Sequence, residues 1–325
     1  MLLLSETDVR HLLSMDDLIQ SMESALSEFS SGQTLQPLRT VLEVGPSHAF
    51  FGVMPAFMPA RGALGTKIVT VFGSNAAFGL PSHLATILLM DSTTGELLSV
   101  MDGRYITEAR TAAVSAVSAR LLAREDAGVL AVLGSGVQAR SHVRALSHVR
   151  ALRDVRVWSP NEANRRTFAE EMHRELAAPI SPVASVRDAV DGADLVVVAT
   201  AAREPVLQSG WIADGAHIAA VGACRPDHRE LDTALVKRAR VFVDSRLGAL
   251  AEAGDLVLPI REGAIDASHI AGELGQLAAG SVAGRQSPGD VTLFKSLGMA
   301  VEDVAAAHLA YQRATERGLG RGIPW

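Results

Sequence analysis

A single cysteine, Cys224, in 325 residues excludes an intrachain disulfide, so the chain does not depend on an oxidising compartment. No apolar run approaches the roughly 18–20 residues that a membrane span needs. The opening MLLLSETDVR has neither the basic flank nor the long apolar core of a secretory signal. Together these gaps lead us to expect a cytoplasmic protein with no membrane partner. Positive charge is not in excess either: 30 Lys and Arg stand against 36 Asp and Glu, for a net charge of −6, and no basic stripe invites nucleic acid. The 10 histidines show no HxxxH spacing and no pairing with cysteine, which argues against a metal site. A nucleophile elbow, a catalytic triad and a P-loop are all missing, so reactivity has to come from a bound cofactor.

What is present is ordinary globular text, 48% hydrophobic and 20% charged, long enough for two domains. Ser14 with Asp17 reads as a capping box, followed by the apolar helical stripe Leu18, Met22, Ala25, Leu26, Phe29. From Thr40 to Met101 short apolar runs broken by glycine and proline predict a sheet of hairpins, with a turn at Asp91–Gly95. An alanine-rich helix is expected over 108–124, with Thr107 as its N-cap. Beyond it, strands at Val129–Leu133, Val155–Trp158, Leu195–Ala199, His217–Val221 and Val241–Val243 alternate with helical stretches near 162–176 and 185–191. This alternation predicts an α/β protein whose second half is a doubly wound parallel sheet. The last periodic stretch, Leu293 to Arg317, reads as one long helix bearing Leu297, Val301, Val304 and Leu309.

The most informative motif is VLAVLGSGVQAR, where an apolar strand breaks into Gly134-x-Gly136-x-x-Ala139 and then into a helical pattern with Val137, Val143, Leu146 and Val149. The first glycine makes the tight turn, the second admits a pyrophosphate to the backbone, and Ala139 lets helix and strand pack closely. A phosphate would then meet the N–H groups of the helix start. The next strand ends in Trp158-Ser159-Pro160-Asn161, without the acidic residue that grips the ribose 2′-OH of NAD. Ser159, Asn161 and Asn164 offer hydrogen bonds there and Arg165 or Arg166 charge, a modest lean to NADPH over NADH. In the first half, Arg39 in QPLRTV, Lys67 in LGTKIVTV and Arg110 in ITEARTAA are cations in apolar or small-residue settings. Such a group can hold a small acid's carboxylate; each alone also reads as a snorkelling or solvent-facing side chain.

Several stretches together resemble the ornithine cyclodeaminase/mu-crystallin family, and within it the mu-crystallin or ketimine reductase branch. They are QPLRTV, GVMPAF, PSHLAT, VMDGRYITEARTAAVSA, VLGSGVQA, GAHIAAVGACRPDHRELD, VDSRLGALAEAGD and VTLFKSLGMAVEDVAA, spread over nearly the whole chain. The resemblance implies a Rossmann domain over about 120–295 and an α+β substrate-binding and dimerisation domain made of residues 1–119 and a C-terminal helix within 296–325, in a homodimer. It implies that Arg39, Lys67 and Arg110 hold a substrate carboxylate. The cofactor positions it implies are Ser82, His83, Arg110, Thr111, Gly134, Ser135, Gly136, Val137, Gln138, Ser159, Asn161, Asn164, Thr200, Ala201, Val221 and Ser296. Leu297 falls on a position that walls the substrate pocket, or else serves as core of the last helix, and Cys224 falls near the substrate.

Two residues depart from the cyclodeaminases: Cys224 stands where those enzymes carry an aspartate, and Gly52 where they carry a glutamate. Cyclisation of ornithine needs an acid and a base to manage the amines, so that activity is disfavoured, with Asp227 and His228 as the nearest substitutes. The expected reaction is NAD(P)H-dependent reduction of a cyclic 2-carboxy imine, Δ1-pyrroline-2-carboxylate or Δ1-piperideine-2-carboxylate, to L-proline or L-pipecolate, with Lys67 as proton donor. The alternatives are an amino-acid dehydrogenase or reductive aminase acting on open-chain 2-oxo acids, and a non-catalytic NADPH-bound protein that binds a small acid.

Overall fold

The computed structural model describes residues 1–45, 49–176 and 178–324. They divide into two units, Met1–Arg110 with Gly298–Trp325 and Thr111–Leu297, the division falling inside the helix Arg104–Leu122.

In the first unit, seven strands lie in the order Arg321–Gly322, Leu2–Leu4, Leu97–Asp102, His83–Asp91, Ala63–Val71, Ala49–Met58, Thr40–Val44. The hairpin run is antiparallel, with one register shift at Leu89–Met90 against Leu97–Asp102, and Leu2–Leu4 adds a parallel neighbour to Leu97–Asp102. Two-residue periodicity decides which side chains turn inward. Along Ala63–Val71 the inward set is Ala63, Gly65, Lys67 and Val69, so an ammonium lies on the buried face. The helix Ala300–Arg317 crosses that face, beside the helix Met15–Ser30. It comes close because Gly65 has no side chain: a Cβ there would lie 3.3 Å from Val304 and 2.7 Å from the Leu88 carbonyl oxygen. Met15–Ser30 follows its predicted pattern in part: Leu18, Met22, Ala25 and Leu26 are buried and Phe29 is half-buried. Ser14 caps the helix by accepting from the Asp17 N–H, and the Asp17 carboxylate takes the Ser14 hydroxyl instead of completing a capping box.

The second unit carries an eight-stranded, wholly parallel sheet in the order Ile270–Glu273, Arg240–Val243, Thr292–Lys295, His217–Ala220, Leu195–Val198, Val129–Leu133, Asp154–Trp158, Ile180–Pro182. Strand order reverses at Val129–Leu133, which pairs with Asp154–Trp158 on one side and Leu195–Val198 on the other. In doubly wound sheets the crevice outside the strand ends at such a point receives the ligand. The expected α/β class and parallel sheet are therefore both found.

Three local readings need correction. The stretch Leu293–Arg317 is not one helix: it is the strand Thr292–Lys295, a turn at Gly298 with φ +80°, and the helix Ala300–Arg317. Leu297 thus lies in the connection rather than in the last helix, and it packs into the core of the second unit. Thr107 does not cap the alanine-rich helix, which begins at Arg104; the Tyr105 N–H donates to Asp102 Oδ1 at 3.0 Å, and Thr107 donates to the Gly103 carbonyl oxygen one turn back.

Candidate active site

Two of the three cations picked out in the first half, Lys67 and Arg110, meet a pair of carboxylates that sequence reasoning missed. Lys67 Nζ lies 2.6 Å from Asp303 Oδ2, and Arg110 Nε donates to Asp303 Oδ1 at 2.9 Å. A second Arg110 nitrogen, Nη1, donates to Glu302 Oε2. Lys67 and Arg110 are 2% and 4% exposed, and Glu302 and Asp303 not at all. Both acids sit in the first turn of Ala300–Arg317, where the positive end of the helix favours them. That helix start has no side-chain cap of its own, and Gln36 Oε1 accepts from the Val301 N–H at 2.8 Å instead. Gly298 is required beside it: its φ is left-handed, and a Cβ there would overlap the Arg110 guanidinium. The signal available in the sequence was the pair Glu302-Asp303 within an otherwise small, apolar helix start.

Charges taken out of water at this depth are costly and persist only when paired. Burial is the main reason that Lys67 is pulled down to about 8, and Arg110 adds to it; Asp303 opposes them. Lys67 also donates to Thr107 Oγ1 at 3.3 Å. His83, half-buried, is lowered to about 4, first by burial and then by the charges of Lys67 and Arg110, so the imidazole is neutral at physiological pH. Ser82 is exposed and its carbonyl accepts from the Phe72 N–H in the turn before the strand. Arg39 is half-buried, just ahead of the edge strand Thr40–Val44 and two strands across the sheet from Lys67. Gly52 faces the buried side of Ala49–Met58, and a Cβ there would already lie 3.0 Å from Val69 Cγ1, so this position has no room for a glutamate while Val69 stays put.

In the second unit the glycine turn follows Val129–Leu133 and leads into the helix Val137–Ser147. Gly134 has φ +116°, and a Cβ on it would overlap the Ala199 carbonyl oxygen at the end of the neighbouring strand. Gly136 is different: a Cβ there meets nothing within 4 Å. No packing within the chain calls for glycine at 136, whereas close approach of a pyrophosphate does. The helix that starts after Gly136 has no side-chain cap, which leaves its first N–H groups for an anion. Arg140 braces the turn by donating to the Ser135 and Gly136 carbonyl oxygens. Val137 is 51% exposed, Gln138 Oε1 is buried without a hydrogen-bond partner, and Ala139 is packed against the sheet.

Further along the same sheet edge, Ser159 is buried and linked to Ser135 Oγ at 3.0 Å. Asn161 Oδ1 serves as the N-cap of Glu162–Glu175, accepting from the Asn164 N–H. Arg165 reaches back one turn to donate to the Ser159 carbonyl oxygen at 3.1 Å, so a guanidinium does stand at this strand end, while Arg166 pairs with Glu162. Thr200 and exposed Ala201 follow Leu195–Val198, and Val221 follows His217–Ala220 and donates to the Val198 carbonyl oxygen. Ser296, after Thr292–Lys295, is 1% exposed and its Oγ has no hydrogen-bond partner. Thr111 is buried, and Cys224 is exposed, its Sγ 3.4 Å from the Val221 carbonyl oxygen. Asp227 is exposed and its carboxylate lies 3.9 Å from His228 Nε2. The turn glycines, the uncapped helix and the orphaned Ser296 hydroxyl on one sheet edge fit a dinucleotide. Among the described residues no group of three or more His, Cys, Asp or Glu could hold a metal ion, and no helix is long and apolar enough to cross a membrane.

Fold and site thus define a dinucleotide-binding α/β protein whose first unit is built around buried cations. The chain belongs to the ornithine cyclodeaminase/mu-crystallin family, whose profile matches residues 1–318. It is 43% identical to ketimine reductase mu-crystallin of Mus musculus over 93% of each chain. Among solved structures it resembles Thermococcus litoralis Δ1-pyrroline-2-carboxylate reductase in complex with NADH and L-proline, with 43% identity, a TM-score of 0.97 and coverage of 99% of this chain and 100% of that one. An archaeal alanine dehydrogenase dimer with bound NAD matches at 30% identity and a TM-score of 0.94, covering 100% of this chain and 99% of that one.

Proposed function

We propose that the protein is an NAD(P)H-dependent reductase of cyclic 2-carboxy imines, converting Δ1-pyrroline-2-carboxylate or Δ1-piperideine-2-carboxylate to L-proline or L-pipecolate. The observation that carries this reading is the buried Lys67–Arg110 pair in a chain so similar to a reductase solved with NADH and L-proline. A dinucleotide held on the parallel-sheet edge would supply a hydride for the C=N carbon. Gly134, Ser135, Gly136, Val137 and Gln138 would hold its pyrophosphate, and Ser159, Asn161, Asn164 and Arg165 the adenosine ribose. Thr200, Ala201, Val221 and Ser296 would line the rest of the dinucleotide, with Ser82, His83, Arg110 and Thr111 as further contacts.

Arg39, Lys67 and Arg110 bind the substrate carboxylate. Each charge-assisted hydrogen bond contributes about 1.5–3 kcal/mol, enough to orient the imine. Glu302 and Asp303 neutralise the two buried cations and fix their direction. Lys67, with an ammonium that loses its proton near pH 8, is matched to protonate the imine nitrogen before hydride arrives. Reduction of the iminium ends on a neutral amine and needs no further acid. Cys224 and Leu297 bound the substrate. Gly52 and Cys224 leave the chain without the carboxylates of a cyclodeaminase.

Arg165 at the end of Asp154–Trp158 supports use of NADPH beside NADH. The exposed strand Thr40–Val44, with Leu35, Leu38, Phe78, Leu80 and Leu84 also exposed, supports a homodimer through the first unit. The lone cysteine fits a cytoplasmic enzyme.

A second reading, oxidative deamination or reductive amination of an open-chain 2-oxo acid, is favoured by the likeness to the archaeal alanine dehydrogenase. Initial rates of NADH and NADPH oxidation separate the two. The cyclic imines alone should be turned over rapidly; turnover only with pyruvate plus ammonia would replace the first reading by the second.

A further inference from the structure

Behind the dinucleotide edge of the parallel sheet lies a chain of buried charges that the reduction itself does not use. Glu230 is fully buried, and both of its carboxylate oxygens are occupied. Oε1 accepts from the Thr200 N–H and the Thr200 hydroxyl, each at 2.7 Å. Oε2 accepts from the Gly222 N–H at 2.7 Å and the Ala223 N–H at 3.0 Å. One side chain therefore ties the turn after Leu195–Val198 to the turn after His217–Ala220. The wrap is close: a Cβ on Gly222 would overlap both the Thr200 carbonyl oxygen and the Glu230 carboxylate.

Glu230 is itself held from behind. Asp255 Oδ1 accepts from the Glu230 and Leu231 N–H groups at 2.7 and 3.0 Å, and Asp255 Oδ2 lies 2.9 Å from Lys295 Nζ. Asp255 and Lys295 are both fully buried, and Lys295 closes the third strand, Thr292–Lys295, one residue before Ser296. Three strand ends that flank the proposed dinucleotide site thus converge on one carboxylate, carboxylate, ammonium chain.

We infer that Glu230 is a positioning residue for the cofactor: its ionised carboxylate fixes Thr200 and the Gly222–Ala223 turn where the dinucleotide is received, and Asp255 and Lys295 keep it there. The inference rests on the reading of this edge as the cofactor site. Four N–H and O–H donors converge on the two oxygens, so a proton on Oε2 has no acceptor to meet, and one on Oε1 can be taken only if the Thr200 hydroxyl turns and gives up its own bond. Burial pushes Glu230 up to about 7; Lys295 pulls it down, Asp255 pushes it up, and the Thr200 donors pull it down. The device is therefore sensitive to pH near neutrality. The other charged groups at hand are Cys224, whose thiolate would interact with Lys295, and the loop residues Asp227, His228 and Arg229, the last paired with Glu262.

The test is calorimetric titration of the full-length protein with NADH from pH 6 to 8.5, alongside thermal unfolding of each variant. Wild-type affinity should weaken as pH falls through neutrality. Glu230→Gln, which sets an NH2 against two donors, should bind NADH at least about tenfold more weakly at pH 8 and lose the pH dependence. Lys295→Met should move the wild-type midpoint upward, which a purely structural role for the cluster would not do. Wild-type affinity that is flat across the range overturns the inference even if Glu230→Gln fails to fold, as does a folded Glu230→Gln with wild-type affinity and pH dependence. A wild-type chain that binds no dinucleotide at any pH overturns the cofactor reading as well.

Discussion

The proposed mechanism gives Lys67 two duties, holding a carboxylate and giving up a proton, and its surroundings set the pH at which the second would fail. With its pKa lowered to about 8, the ammonium is present below that pH and lost above it, so kcat/KM for the imine should fall as pH rises through about 8. Asp303→Asn removes the charge that sustains the ammonium, and the falling limb should shift to lower pH. That variant should also lose about 3–5 kcal/mol of stability, since it leaves buried cations short of a partner. Lys67→Arg keeps a cation for the carboxylate but gives up no proton in this range; kcat should drop by roughly 10²–10⁴-fold with a much smaller change in KM. A Lys67→Arg enzyme with wild-type kcat would exclude the proton-donor role. On the proposed reading, cofactor choice turns on Arg165. Arg165→Ala should lower kcat/KM for NADPH by about tenfold or more relative to NADH, whereas an unchanged ratio would place the discrimination elsewhere. Lys67 and Arg110 were legible in the sequence because cations in apolar text stand out. Glu302 and Asp303 were not, because acids in the first turn of a helix ordinarily face water.

At the level of elements, the glycine turn separates fold from ligand more cleanly than any other segment. Gly134→Ala meets both a left-handed φ and the Ala199 carbonyl oxygen, so it should cost about 1–3 kcal/mol and lower the unfolding temperature. Gly136→Ala meets no atom of the chain and should leave the unfolding temperature of the unliganded protein almost unchanged while weakening dinucleotide binding. Thermal scans with and without NADH distinguish the two; a Gly136→Ala protein that binds NADH normally would contradict the assignment. The strand–turn–helix at 129–147 was legible because strand period, glycine spacing and helix period agree there. The short strands Leu2–Leu4, Ile180–Pro182 and Ile270–Glu273 were not anticipated: the first has no β-branched residue and the others contain proline and glycine, which read as breaks, whereas the equally short Val241–Val243 is Val-Phe-Val. The run Leu293–Arg317 misled for another reason: its strand is fully buried, and a buried strand and a buried helix start read alike until Gly298 breaks the chain between them. Thr107 misled because Asp102, five residues earlier, already serves the helix start.

For the whole molecule, the first unit presents an edge strand, Thr40–Val44, that is exposed along its full length, Val41 and Leu42 included. An apolar edge left open in this way is a liability unless a second copy covers it. If the proposed homodimer forms through this edge, Val41→Glu combined with Leu42→Lys should shift the sedimenting species to monomer, and a dimer unaffected by both changes would require another interface. The second unit holds the glycine turn and an uncapped helix, and the first holds two buried cations, Lys67 on a strand and Arg110 on the helix Arg104–Leu122. The proposed reaction is hydride transfer to the carbon of a carboxylated imine. The most direct test is mass spectrometry and chiral analysis of the product formed from Δ1-pyrroline-2-carboxylate with NADH doubly deuterated at C4 of the nicotinamide. The account predicts L-proline carrying a single deuterium at Cα; unlabelled or racemic proline, or no product with either cofactor, would contradict it.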